Sequence, residues 1–277
     1  MCKIGGVTVC EISVIIPAYN AEYTISEALN SVCGQHGDFV KEIIVVDDGS
    51  SDNTSTIVIG FSEKYPSLIK LIKKNNEGVA SARNEGVKYA TGTFIAFLDA
   101  DDVWYPDKLQ KQMKFINEHD FSLVGGGFNG NYNGSDKDDG YIEISFKMQL
   151  LKQYFQPSTV LFKRDVLLKV PGFVAGRRYC EDALFFSQVC YHFRCAVLTS
   201  DLIKYGDDKH PYASGKGLGS HLWQMEKGEL KNFYILLKDR KLEYKEYLFF
   251  SGYSLLKFCR RIIIKYFIYY PKNLLGL

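Results

Sequence analysis

The sequence predicts a three-layer α/β/α fold with a mostly parallel central sheet, followed by a helical tail. In the first hundred residues, short runs of β-branched and apolar residues alternate with stretches long enough for helices. This alternation is typical of right-handed βαβ units in a parallel sheet. The strand-like runs are apolar almost without a break, as expected for strands that helices cover on both faces.

Each element of this first half has its own signal. The predicted helices are bracketed by Ser, Asp, Asn or Gly, residues that begin and end helices. Ligands of such sheets bind beyond the carboxyl ends of the strands, so the functional residues are expected there. The predicted strands are Ile12–Pro17, Glu42–Asp47, Leu68–Lys73 and Phe94–Asp99, and the helices between them are Glu22–Gly34, Asp52–Tyr65 and Glu77–Thr91.

The second half is less regular, and its pattern becomes helical from Leu222 onward. We expect two units: an α/β catalytic domain over residues 8–220 and a helical extension over residues 221–277. The remaining elements are predicted as helices at Met148–Tyr154 and Glu181–Tyr191, a strand at Thr159–Phe162, and Gly-rich loops at Phe128–Gly140 and Asp207–Gly219, the latter long enough for a mobile lid.

Composition and charge exclude several classes of protein. Of the 277 residues, 46% are hydrophobic and 24% are charged, as in globular rather than disordered proteins. Lys and Arg outnumber Asp and Glu by 34 to 32, a balance that argues against a nucleic-acid partner. The seven cysteines contain no Cys-x-x-Cys pair, which favours reduced thiols over a zinc site.

The sequence also bears on location. Its first seventeen residues contain no long apolar run or small-residue cleavage site, so no signal peptide is predicted. No uncharged stretch approaches the roughly 20 residues that a bilayer span requires. We therefore expect a cytoplasmic protein, with peripheral contact at the inner face of the membrane left open.

Acidic clusters follow two of the predicted strands. Asp47-Asp48 comes after the second strand, Asp99-Ala100-Asp101-Asp102 comes after the fourth, and Glu181-Asp182 opens a later helix. Carboxylates gathered at one edge of a sheet repel each other unless a cation neutralises them. Asp-x-Asp offers the oxygen ligands that suit Mg²⁺ or Mn²⁺. Each cluster alone is also ordinary turn or helix-cap chemistry, and their joint occurrence favours the metal site.

Five motifs follow one another along the chain: Ile15–Asn20, Val46–Asp52, Gly78–Asn84, Leu98–Asp102 and Glu181-Asp182. In this combination and order they resemble the family-two glycosyltransferases of the GT-A fold, over about residues 10–200. The resemblance implies an inverting hexosyltransferase that moves a sugar from a nucleotide-diphosphate donor, usually a UDP-sugar, to a saccharide or lipid-linked acceptor in cell-surface polysaccharide synthesis. It also implies Mg²⁺ or Mn²⁺ as the cofactor.

The resemblance implies roles for residues on the nucleotide side. Asp48 would accept a hydrogen bond from the base, Arg83 would lie near the base and its neighbouring acids, and Asp99 would contact the ribose or the metal shell. By itself Arg83 is also compatible with a solvated helix face. Four residues after the first strand would wall the nucleobase: Pro17, Ala18, Tyr19 and Asn20.

The resemblance also implies the metal ligands and the base. Asp101 would hold the metal, with Asp99 as a second candidate ligand, and Asp182 would be the general base that deprotonates the acceptor hydroxyl. Lys209 and His210 are candidates for a further phosphate or metal contact. The sequence around them departs from the family's Arg-x-His pattern, so a solvated loop histidine at position 210 is an equal alternative.

Three other interpretations were weighed. A nucleotidyltransferase would carry a Gly-rich phosphate loop with a basic residue after the first strand, and none is present there. A phospho-accepting switch domain is less than half as long as this chain, which argues against that class. A catalytically silent nucleotide-sugar-binding homologue stays open, although the presence of Asp101 and Asp182 argues against it. Gly125–Gly130 matches Gly-x-Gly-x-x-Gly, but a polar loop follows it where a dinucleotide site needs a helix.

The stretch Tyr247–Tyr270 combines many aromatic residues with a basic stripe, which predicts an interfacial helix on anionic lipid headgroups. The alternative is a helix packed on the protein or on a partner, including a second copy of the chain. The stripe consists of Lys257, Arg260, Arg261 and Lys265.

Overall fold

A computed structural model describes residues 3–4, 7–8, 11–130, 140–204 and 221–265. Its strands are β1 (Lys3–Ile4), β2 (Val7–Thr8), β3 (Ile12–Ala18), β4 (Val40–Asp47), β5 (Ile69–Lys73), β6 (Phe94–Phe97), β7 (Val103–Trp104), β8 (Leu123–Phe128), β9 (Tyr141–Ile144), β10 (Leu161–Lys163) and β11 (Cys195–Lys204). Its α-helices are α1 (Ile25–Cys33), α2 (Thr54–Lys64), α3 (Val79–Tyr89), α4 (Lys108–Glu118), α5 (Phe146–Leu151), α6 (Glu181–His192), α7 (Leu222–Lys238) and α8 (Tyr244–Ile263).

One half of the main sheet is parallel and consists of the four strands that the sequence predicts. β3 pairs with both β4 and β6, and β4 pairs with β5, all in parallel. Ile15 on β3 lies between Ile44 on β4 and Phe97 on β6. The predicted strand limits agree with the observed ones to within two residues at each end.

The other half of the sheet is mixed. β10 pairs antiparallel with both β6 and β8, and β8 pairs parallel with β11. β7 and β9 add to β11 as antiparallel strands. The mixed α/β architecture with a central sheet and C-terminal helices confirms the predicted fold class.

Helices cover both faces of the sheet. On one face, alternate residues of β3 such as Ile12, Val14 and Ile16 pack with α1, α2 and α4. On the other face, Ile15 packs in a second apolar core with residues of α3 and α6. Because side chains alternate along a strand, burial on both faces requires a nearly continuous apolar run.

The sequence analysis did not predict β8, the strand at the centre of the mixed half. Its sequence, LVGGGF, carries three consecutive glycines, which local pattern associates with loops. Gly126 needs its missing side chain because a Cβ there would lie 2.2 Å from a methyl group of Leu202. In the run that imitates a dinucleotide fingerprint, Gly125–Gly127 thus belong to a buried strand, and Gly126 has no room for a side chain.

The described part of the predicted helical extension contains α7 and α8, which form a third apolar core with the body of the chain. This core joins Phe233 and Leu236 of α7 and Phe250 of α8 to Leu150 of α5 and Leu184 of α6. Among the helices that the structure describes, none is long and apolar enough to cross a membrane. The extension is thus packed against the same helix, α6, that begins with Glu181-Asp182.

Candidate active site

Asp48, directly after β4, is a buried carboxylate that joins three segments. Its oxygens accept hydrogen bonds from the N–H groups of Gly78 (2.7 Å) and Glu77 (3.1 Å) and from the ammonium group of Lys74 (2.9 Å). Its own N–H donates to the carbonyl of Ala18 at 2.8 Å. The carboxylate that the sequence assigns to base recognition therefore also fixes the ends of β3 and β4 against the start of α3.

The segment after β3 supplies an exposed aromatic ring beside Asp48. Pro17 and Ala18 still belong to β3, so only Tyr19 and Asn20 lie outside the strand. The Tyr19 side chain is exposed. Asn20 has a left-handed backbone (φ 49°), and its side-chain oxygen accepts a hydrogen bond from the N–H of Ser51 at 2.9 Å. The turn thus holds Tyr19 at the carboxyl edge of the sheet with its ring open to a ligand.

The acidic turn after β6 is fastened from behind by Ser158. The Asp99 N–H donates to the Ser158 hydroxyl (3.0 Å), and that hydroxyl donates to Asp102 (2.6 Å). The indole N–H of Trp104 donates to the Ser158 carbonyl at 2.8 Å. Asp102 and Trp104 are buried, whereas the Asp101 side chain is exposed. Asp102 is therefore a structural carboxylate, and Asp101 is the one that faces solvent.

Arg83 on α3 is the buried cation of the site, with 3% of its surface exposed. Its guanidinium donates to Asp99 at 2.6 Å and to Glu181 at 3.5 Å, and it lies 5.3 Å from the centre of the Phe173 ring. The alternative of a solvated helix face is therefore wrong. The guanidinium joins the end of β6 to the start of α6.

Glu181 and Asp182 open α6 next to this guanidinium. Glu181 is buried, while Asp182 is half-buried and accepts a hydrogen bond from the N–H of Ala183 at 2.8 Å. Burial and the neighbouring Asp182 raise the pKa of Glu181 to about 7, against the opposing charge of Arg83. Burial raises the pKa of Asp182 as well, again opposed by Arg83. Carboxyl groups with raised pKa values are suited to proton transfer near neutral pH.

The structure brings three of the predicted site residues, Arg83, Asp99 and Asp182, into one cluster together with Glu181. Two cations of the protein, Arg83 and Lys74, neutralise part of the acidic edge. From the sequence, a cation is expected to neutralise these acids and the family resemblance places Arg83 near them, but Lys74 is not predicted. The position of Lys74 directly after a predicted strand is a weak sequence signal for a place at this edge. The sequence around Ser158 gives no signal for its contacts with the acidic turn.

The carboxylates that remain for a metal ion are few. Asp101 is exposed, and Asp99 is 24% exposed with one oxygen bound to Arg83. Within the described ranges, no three His, Cys, Asp or Glu side chains are grouped to hold a metal ion. His210 lies outside the described residues. These donors fit an ion such as Mg²⁺, which binds through one or two carboxylates and takes its other ligands from phosphate oxygens and water.

Comparison with known families and structures agrees with the fold. The sequence model of the family described as "Glycosyl transferase family 2" matches residues 13–185. A curated relative, the UDP-Glc:alpha-D-GlcNAc-diphosphoundecaprenol beta-1,3-glucosyltransferase WfgD of Escherichia coli, is 44% identical over 119 residues, which are 42% of this chain and 45% of that protein. The chain thus spans less than half the length of this relative.

Two solved structures share the fold. Residues 1–349 of S. aureus TarS, in complex with UDP-GlcNAc, superpose with a TM-score of 0.68 and 24% identity over 95% of this chain and 77% of that one. The mannosyltransferase PcManGT of Pyrobaculum calidifontis, in complex with GDP-Man and Mn²⁺, gives a TM-score of 0.65 and 21% identity over 88% and 69% of the two chains. At these identities the likeness concerns the fold.

Arg83→Met is expected to lower the free energy of unfolding by about 3–5 kcal/mol at pH 7.5, because it leaves buried carboxylates without their counter-charge. A raised carboxyl pKa lowers stability as pH rises from the unfolded pKa towards the folded one. The substitution raises the pKa values of Glu181 and Asp182 further, so its deficit is largest above pH 7 and smaller at pH 5.

Urea unfolding at both pH values measures this effect. Lys88→Met, an exposed position on the same helix, is the control and should change the free energy by less than about 1 kcal/mol. An Arg83→Met deficit that is independent of pH would refute the electrostatic role.

Proposed function

Because this chain belongs to glycosyl transferase family 2, we propose that it transfers a sugar from a UDP-sugar to a lipid-linked saccharide acceptor, with inversion at the anomeric carbon. The observation that carries the proposal is the cluster around Arg83, in which Asp99 and Glu181-Asp182 meet at the carboxyl edge of the sheet. Asp99 suits the donor, and Glu181-Asp182 suit the acceptor.

The names of related proteins support this choice of substrates. WfgD acts, by its name, on a UDP-Glc donor and a GlcNAc-diphosphoundecaprenol acceptor. TarS was solved in complex with UDP-GlcNAc. The proposed role is therefore in the synthesis of a cell-surface polysaccharide, at the cytoplasmic face of a membrane.

The donor is proposed to bind over the ends of β3, β4 and β6. Pro17 and Ala18 form the floor of this region, and the exposed Tyr19 ring beside Asn20 offers a surface for the nucleobase. Asp48 lies directly behind them, and its carboxylate is already fixed by Lys74 and by two backbone N–H groups. A rigid carboxylate of this kind orients a base without having to reorganise.

The diphosphate is proposed to lie near the exposed Asp101. Asp101, with Asp99 as a second candidate, would hold a Mg²⁺ or Mn²⁺ ion there, and that ion would neutralise the leaving diphosphate. PcManGT, which shares the fold, was solved in complex with GDP-Man and Mn²⁺. Arg83 donates to Asp99 at 2.6 Å, so the protein itself positions one oxygen of this turn.

Asp182 is the proposed general base. Glu181 is buried and forms an ion pair with Arg83. Asp182, next to it at the start of α6, is half-buried. In this proposal Asp182 reaches an acceptor hydroxyl and also interacts electrostatically with the Arg83 guanidinium. Deprotonation of that hydroxyl allows a single displacement, which inverts the anomeric carbon and needs no covalent intermediate.

The helix α8 is proposed to dock the enzyme on an anionic bilayer, by a face other than the predicted one. Lys257 and Arg261 of the basic stripe form ion pairs with Glu229 (2.8 Å) and Glu226 (3.0 Å) of α7. These two cations therefore face the protein. The prediction that the whole stripe faces lipid headgroups is wrong for them, because their acidic partners on α7 cannot be inferred from α8 alone.

The outer face of α8 is apolar instead. The residues that share it are large and exposed: Leu248, Phe249, Leu255, Leu256 and Ile263. Residues 247–277 contain five Lys or Arg and no Asp or Glu. Two of the five pair with acids of α7, and the excess of positive charge in the segment complements a negative surface rather than a second copy of this basic segment. A bilayer with anionic lipid offers both an apolar interior for such a face and charges for such a segment.

UDP binding is expected to depend on Mn²⁺ in the wild-type chain, and Asp101→Asn should weaken it at least about tenfold, as loss of metal-site groups does. Isothermal titration with UDP, with and without Mn²⁺, measures the effect. Asp38→Asn, an exposed carboxylate in the loop before β4, is the matched control. Equal affinities with and without Mn²⁺ in all three proteins would contradict the metal role.

Asp182→Asn is expected to slow UDP release from UDP-glucose or UDP-N-acetylglucosamine by about 10²–10⁴-fold, the usual cost of losing a general base. The affinity for UDP should stay nearly unchanged, since the base faces the acceptor. If Asp182→Asn retains its rate and Glu181→Gln loses it, Glu181 is the base. If the wild-type chain binds UDP-sugars but never releases UDP, it is a silent binding homologue.

The full chain is expected to co-sediment with vesicles of phosphatidylglycerol and phosphatidylcholine. Leu256→Glu, at a position 71% exposed on α8, should weaken binding about 10–100-fold by removing one buried leucine from the lipid contact. Leu168→Glu, 85% exposed elsewhere, is the matched control and should bind like the wild type. Equal losses in both variants, or a lipid-free dimer that Leu256→Glu abolishes, would refute the membrane face.

A further inference from the structure

The residue before Glu181-Asp182 has an unusual backbone. Cys180, the N-cap of α6, has left-handed φ and ψ angles of 56° and 27°. Non-glycine residues rarely adopt this conformation, and it persists where the surroundings hold it in place. The next two residues are Glu181 and Asp182, so whatever holds Cys180 also sets the direction in which their carboxylates leave the helix.

Helix α7 holds this residue through Asn232. The Asn232 side-chain amide donates to the Cys180 carbonyl at 2.8 Å, and its oxygen accepts a hydrogen bond from the Arg177 guanidinium. The same Cys180 carbonyl accepts the N–H of Leu184 at 3.3 Å, a bond of the first turn of α6. One carbonyl therefore receives a donor from α6 and a donor from α7.

Two further contacts bind the loop to the part of α7 that precedes Asn232. Arg177 donates to the Gly228 carbonyl at 3.0 Å, and the Cys180 thiol donates to the Met225 carbonyl at 3.3 Å. Asn232 is buried. The loop before α6 thus contacts three successive turns of α7.

Gly228 allows α7 to come this close. A Cβ at this position would lie 3.0 Å from the Tyr179 carbonyl oxygen and 3.2 Å from the Cβ and Sγ atoms of Cys180. Glycine weakens the interior of a helix relative to alanine. Its presence here fits a position where close approach to the loop matters more than helix propensity.

We infer that α7 is a positioning element for the catalytic carboxylates, acting on them through Asn232, Gly228 and the Cys180 backbone. This inference rests on the proposed function, since it assumes that Glu181-Asp182 carry the chemistry. Helix α7 begins at Leu222, outside the family match over residues 13–185, so the family pattern assigns it no role. Small displacements of a catalytic group are costly, because reacting atoms must be held within a fraction of an ångström.

Gly228→Ala tests the inference, with Gly252→Ala as its matched control. Both positions are helical, and a Cβ at Gly252 meets nothing within 4 Å, so the gain in helix propensity is common to the two variants. Gly228→Ala should lower kcat for UDP release from UDP-glucose at least about tenfold and leave KM for the donor within about twofold. Gly252→Ala should leave both unchanged.

Asn232→Asp provides a second variant that keeps the side-chain volume and the acceptor for Arg177 but replaces the donor to Cys180 with a carboxylate oxygen. It should reproduce the loss of kcat. In both variants the amides at the start of α6 should exchange hydrogen faster than in the wild type, and in Gly252→Ala they should not.

The exchange measurement needs no substrate, so it separates the two proposals. A wild-type chain that releases no UDP from any UDP-sugar refutes the proposed function, while the exchange comparison still decides whether α7 holds the start of α6. Unchanged exchange in Gly228→Ala and Asn232→Asp overturns the inference. Faster exchange with unchanged kcat, or equal losses of kcat and donor binding, also overturns it.

Discussion

The buried guanidinium of Arg83 is the interaction on which the site depends. It meets Asp99, sixteen residues away, at 2.6 Å, and Glu181, ninety-eight residues away, at 3.5 Å. A buried charge is stable only when opposite charges and hydrogen bonds compensate its loss of water. The end of β6 and the start of α6 must therefore come together around α3 before the site exists, and the same charge then controls the protonation of the carboxyl groups beside it.

The C-terminal helices extend this dependence outward. Helix α7 touches the loop that leads into Glu181, and its buried Glu226 receives hydrogen bonds from Ser254 and Arg261 of α8. Polar contacts thus link the inner face of α8 to α7, and further polar contacts link α7 to the loop before Glu181-Asp182. Because buried polar contacts of this kind hold defined geometries, the proposed bilayer contact and the geometry of the proposed base would depend on the same two helices.

The parallel half of the fold and the placement of the acids could be predicted from sequence, because they follow from local patterns. The continuous apolar runs give β3 to β6, and the acids after β4 and β6 lie at one edge because parallel strands end together. The rest depends on partners distant in sequence. Gly126 lies in a strand that packs closely against Leu202. Arg83 is buried and pairs with Glu181 of α6, and Lys257 faces the protein because it pairs with Glu229.

Double-mutant cycles measure most directly whether one guanidinium joins the two halves of the site. Arg83→Met is combined with Asp99→Asn in one cycle and with Glu181→Gln in another, and the free energy of unfolding of each protein is obtained from urea titrations at pH 7.5. Residues that share one buried ion-pair network couple by about 0.5–3 kcal/mol. We expect coupling in the upper part of that range for Asp99 and at least about 1 kcal/mol for Glu181. Additive effects in either cycle would contradict the account.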